Sequence, residues 1–179
     1  MIRSAFLRLM GDQSAAAAVE IVLVTPLLLI IATGSIELGN YFMDEHILLE
    51  GVRDGARYAA RQNFSSYNGC NTTAAPVPTV VSDSTKLIVR KGTLNSADPD
   101  LLPQWANVTS FSVSMTCSAT VGGSATGGIY NGNSTGTTGV APAVVVTATL
   151  PYRPVMASIG FHGAGLSITA TQQAAVTGL

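Results

Sequence analysis

Two histidines, His46 and His162, are the only imidazoles in 179 residues. Neither has the company that hydrolytic or metal chemistry needs. Asp44, Glu45 and His46 are consecutive, so on a helix they point in different directions and do not converge on one ion. His46 and Glu50 stand four apart, two ligands at most, and read as a solvated helix face. No G-x-S-x-G supplies a nucleophile elbow, and no P-loop or post-strand G-x-G-x-x-G supplies a phosphate cradle. The sequence predicts no enzyme, no cofactor and no metal.

The two cysteines, Cys70 and Cys117, belong to no C-x-x-C and have no histidine cluster nearby. They read as one disulfide formed in an oxidising compartment, or as two buried thiols. A bridge closing that loop would stabilise the fold by roughly 4 kcal/mol in the chain-entropy picture. Glu20 is chemically more conspicuous. It is the only charge in residues 15–36, AAAAVEIVLVTPLLLIIATGSI. A carboxylate in that setting costs up to ~3 kcal/mol at a bilayer centre and less near an interface. Either it snorkels toward headgroups, or it meets a positive partner from another chain. Glu37, at the far boundary of the run, reads as interfacial.

The element that holds Glu20 must be a membrane helix. About 20 helical residues cross a ~30 Å hydrocarbon core, and the run is too long for a secretory h-region and lacks an A-x-A exit. Arg3 and Arg8 precede it, whereas Arg53 is the first basic residue after it. The N-terminus is therefore expected in the cytoplasm and the bulk of the chain outside. That is also the side on which a disulfide could form. Pro26 is expected to bend or loosen the helix. A net charge of −1 removes the footprint of a nucleic-acid binder. Charged residues make up 11% of the chain, less than half of the ~25% usual in soluble domains. Residues 101–152 hold none of them, so that stretch must stay hydrated through hydroxyls and amides.

Beyond the span, residues 37–62 carry no proline. Leu38, Phe42, Leu49, Val52, Ala56 and Ala59 recur at helical spacing, and Arg53, Arg57 and Arg61 mark another face with Glu50 and Asp54 in i, i+3 reach. One helix over about 16–62 is predicted. Gly51 and Gly55 allow a close backbone approach, by the chain's own sheet or by a second copy. A second helix is predicted over 79–91, ended by Gly92. Phe111, Val113, Met115 and Cys117 alternate with hydroxyl residues as a half-buried strand, followed by strands over 144–150 and 166–176. Residues 118–139 are Gly, Ser or Thr at 15 of 22 positions, a long loop. Trp105 reads as a core plug. The four N-x-S/T sequons, at Asn63, Asn71, Asn107 and Asn133, occur by chance in so Ser/Thr-rich a chain and would carry meaning only in a eukaryotic host.

The fold expected is α+β. A long N-terminal membrane-spanning helix continues into an exported domain and packs on a small antiparallel sheet. The divisions are a basic leader over 1–15, the helix over 16–62 and the exported α+β domain over 63–179.

The blocks AAAAVEIVLVTPLLLIIATGSIELG (15–39) and RDGARYAAR (53–61) resemble the TadE-like family, minor pilins or pseudopilins of tight-adherence, Flp-type pilus systems. LPYRPVM (150–156) and LSITATQQA (166–174) are similar to that family's closing strands. The resemblance implies a pseudopilin-like, non-catalytic pilus-assembly subunit in the bacterial inner membrane, single-pass, with a periplasmic domain. It implies partners among other pilins and the assembly machinery, and a prepilin peptidase that cuts between Ala15 and Ala16. Ala15 stands there in place of the usual glycine. Glu20 then becomes the fifth mature residue, placed for subunit assembly by pairing with a neighbour's new amine. The alternative is a membrane-anchored adhesin or binding domain unrelated to any pilus.

Overall fold

The computed structural model describes residues 13–67, 75–118, 120–121, 124–125, 141–160, 163 and 165–178. Cys70, Asn71, Asn133, His162 and most of the 118–139 loop lie outside them.

Helix α1 spans Gln13–Ala60, 48 residues, and runs through Pro26 without a break in its assignment. Pro26 offers no N–H to the Val22 carbonyl, but a single missing bond does not end a helix so rich in good formers. The hydroxyls along the apolar part bond back to their own helix: Thr25 Oγ1 donates to the Ile21 carbonyl (2.6 Å), Thr33 Oγ1 to Leu29 (2.8 Å) and Ser35 Oγ to Ile31 (2.8 Å). They therefore need no water, which suits an apolar solvent.

The chain divides into two compact units. One holds the helix up to Asn40 together with residues 154–162; the other holds residues 41–153 and 163–179. In the second unit lie strand β1 (Ala75–Pro76), helix α2 (Thr79–Lys91), β2 (Ser110–Ser118), β3 (Thr120–Val121), β4 (Ser124–Ala125), β5 (Ala141–Pro151) and β6 (Ser167–Ala175). The main sheet is antiparallel in the order β1-β2-β5-β6, and β1 contributes only two residues; β3 and β4 form a separate two-stranded piece. β2 pairs with β5 from Ser110↔Thr149 to Ser118↔Ala141, and β5 pairs with β6 from Ala143↔Ala175 to Pro151↔Ser167.

The period-two pattern decides which face is dry. Val113, Met115, Val144, Val146, Ala148, Leu150, Ile168 and Ala170 turn inward and join Leu48, Val52, Ala56 and Ala59 of α1 in one core. Trp105 completes it, 3% exposed and edge-on to Phe111 at 6.1 Å. On the other face the hydroxyls pair across strands, Thr147 with Thr171 at 3.0 Å and Thr149 with Thr169 at 3.1 Å.

α2 ends as its sequence requires. Gly92 adopts φ 74° and its N–H returns to the Ile88 carbonyl, a left-handed cap that a side chain would strain. Arg90 then holds the following loop, with Nε and Nη2 on the two oxygens of Asp100 at 2.5 and 2.6 Å.

The buried stripe of α1 differs from the one the spacing predicts. Leu48 replaces Leu49 at the centre of the core, while Leu38 and Phe42 are 55% and 56% exposed. They extend the exposed apolar run instead of facing the core. Of the i, i+3 pairs expected, Asp54 faces Arg57 (3.5 Å), whereas Glu50 faces His46 (3.5 Å) instead of Arg53, both pairs on the solvated side.

Candidate membrane and assembly surface

Ala17–Ala60 of α1 contains a window long and apolar enough to cross a membrane, and none of that window is buried by the protein itself. Val22, Leu23, Ile30 and Ile21 are each 65–71% exposed. Large aliphatic side chains left bare at that level need a non-aqueous solvent or a protein partner.

Glu20 sits on this surface, exposed, beside a shallow depression of about 250 Å³ lined also by Ile21, Val24, Thr25 and Leu28. Among the described residues no ion pair reaches it. Its carboxylate is thus presented sideways from the apolar rod, on a face where another helix can lie. Ala15 and Ala16 fall inside the first turns of α1 as described.

The second carboxylate behaves differently. Glu37 directly follows the apolar run and is only 3% exposed. Its Oε1 accepts the Val155 N–H at 3.2 Å and its Oε2 accepts the Met156 N–H at 2.9 Å. Val155–Ile159 is a short 3₁₀ turn whose own N-cap, Pro154, supplies no side-chain bond. Glu37 therefore caps, from 118 positions earlier in the chain, a turn that cannot cap itself. The sequence reading of Glu37 as an interfacial group missed these partners, because a contact so distant in sequence leaves no local pattern.

Gly51 and Gly55 are brought to a close approach, though by a different neighbour from the sheet. A Cβ on Gly51 would meet the Val89 carbonyl oxygen at 2.6 Å, and one on Gly55 the Val89 Cγ2 at 2.4 Å and the Thr85 Cγ2 at 3.3 Å. The missing side chains let α1 and α2 cross nearly backbone to backbone. Small residues four apart signal such a crossing without naming the partner.

Asp44, which the spacing set aside as a metal ligand, has a polar partner that the spacing did not indicate. Gln104 Nε2 donates to its Oδ2 at 2.6 Å; burial pushes the carboxyl above its ordinary range, and the Gln104 N–H pulls it back in part. Arg53, Arg57 and Arg61 form an exposed basic face. No group of three or more His, Cys, Asp or Glu capable of holding a metal occurs among the described residues.

Comparison with curated proteins and with solved structures yields no match. A family model does match, and it does so along the helix that carries Glu20, Glu37, Gly51 and Gly55. Residues 15–57 are similar to the family described as TadE-like protein.

Proposed function

We propose that this chain is a structural, non-catalytic minor pilin or pseudopilin-type subunit for assembly of a tight-adherence, Flp-type pilus. It is anchored by α1 in the bacterial inner membrane, with the N-terminus cytoplasmic and the sheet-bearing portion periplasmic. The observation that carries the proposal is Glu20, exposed on a bare apolar helix within the TadE-like stretch. A charge in lipid is costly alone and tolerable when paired. A neighbouring subunit freed of its leader between Ala15 and Ala16 presents a new amine, and that amine is the natural counter-charge. Subunit assembly then uses the same greasy surface that anchors the monomer. The partners are other pilins, the assembly machinery and a prepilin peptidase. The exported side is oxidising, and the described residues include no free cysteine, which supports a Cys70–Cys117 disulfide.

The test is Glu20→Leu in the full chain. Membrane insertion is expected to stay intact, while co-purification with the other pilus components drops. Equal recovery of variant and wild type with those components would remove the assembly role of Glu20.

A further inference from the structure

The apolar run Ala17–Ile36 is 20 residues long, about 30 Å of helix, the thickness of a hydrocarbon core. Glu37 is the first residue past it, so its carboxylate lies where hydrocarbon gives way to headgroups. Two groups there would suffer from lack of water: the carboxylate itself, and the leading N–H groups of the turn at Val155–Ile159. The structure joins them to each other, at 3.2 and 2.9 Å. That arrangement has a second consequence. It pins the turn beside the end of the span, within the same compact unit, and leaves Val155 55% exposed and Ala157 exposed.

We propose that the Val155–Ile159 turn is a second membrane contact, a foot resting in the headgroup–acyl boundary of the bilayer and held there by Glu37. The occupant is lipid because the exposed side chains continue the bare apolar surface of the span at its exit, where Ile36 and Leu38 are 54% and 55% exposed. No charged side chain occurs from Pro154 to Ile159 to oppose insertion. Such a foot fixes the span against rotation and sliding, since two points of contact define an orientation that one rod does not. The proposal rests on α1 crossing a membrane, and its test separates the two ideas.

The experiment places single tryptophans in the full chain, reconstituted into phosphatidylcholine vesicles brominated either near the headgroup or deep in the acyl chain. Val155→Trp is compared with Leu28→Trp in the span, with Thr171→Trp on the outer sheet face, and with wild type, whose only tryptophan is the buried Trp105. Leu28→Trp is expected to lose fluorescence to deep bromines. Val155→Trp is expected to lose it to shallow bromines beyond the wild-type loss, and Thr171→Trp to show no added loss. Adding Glu37→Gln to Val155→Trp should reduce the shallow quenching. Quenching of Leu28→Trp with none added at Val155→Trp overturns the foot and spares the span. Absence of quenching at Leu28→Trp overturns both. Unchanged shallow quenching in the Glu37→Gln background removes Glu37 as the holding group.

Discussion

Asp100 and Asp44 are two carboxyls whose surroundings push them opposite ways. The Arg90 guanidinium, hydrogen-bonded to both oxygens, holds Asp100 below the usual carboxylate range, and Lys91 adds to it from 3.1 Å. A carboxyl whose folded pKa is depressed contributes stability above its unfolded value of about 3.9, and loses it as pH falls through the folded value. Asp44 is raised, chiefly by burial, so its contribution is present below the unfolded value and is lost as pH rises through the folded one. Asp100→Asn should therefore lower stability at neutral pH and flatten the loss of stability below about pH 4. Urea midpoints of the full chain in detergent, measured across that range, check it. An acid limb as steep in the variant as in the wild type would show that the Arg90 pair contributes nothing.

At the scale of elements, the crossing of α1 and α2 is the joint most sensitive to a single atom. Alanine normally favours a helix over glycine by about 1 kcal/mol, yet here the added Cβ collides. At Gly51 it meets the Val89 carbonyl oxygen, which cannot move without the α2 backbone; at Gly55 it meets the Val89 side chain. Val89 is 1% exposed and β-branched, so its rotamer has little freedom within a helix. Both Gly51→Ala and Gly55→Ala should destabilise by about 1–3 kcal/mol, as overpacking does. Val89→Ala should relieve the Gly55→Ala strain and leave that of Gly51→Ala in place. Denaturation of the two double variants distinguishes them, and equal rescue of both would contradict the backbone clash. The sheet is less exacting. Its inward Val, Ala, Ile and Leu residues alternate over β5 and β6, so the register is fixed by burial of one face.

For the molecule as a whole, the proposed life history predicts a mass. Chain extracted from membranes should lack residues 1–15, begin at Ala16 and be lighter by two hydrogens for the Cys70–Cys117 bridge. Intact-mass measurement with and without reduction reads all three. A full-length chain would remove the amine that Glu20 is proposed to meet, whereas a cut after Ser14 would shift it by one position. On the proposed function, processing and assembly would be coupled through electrostatics, since a carboxylate such as Glu20 is costly in lipid until a counter-charge exists.

Local chemistry alone settled much of this protein. The bare helix follows from an apolar run whose only charge is Glu20, α2 from a short segment closed by Gly92, β2 from strict alternation, β5 from a run rich in β-branched residues and β6 from a weaker run of the same kind. Each depends only on neighbours within a few residues, and the segment matching the TadE-like family lies within the same helix. The tertiary structure decided what periodicity cannot express. It placed Leu48 instead of Leu38 and Phe42 in the core, and it set α2 against Gly51 and Gly55 where the sheet was expected. It also gave Glu37 two backbone N–H groups more than a hundred residues away. A side chain's spacing states which face it shares, whereas the identity of the surface covering that face comes from chain closure across distant segments.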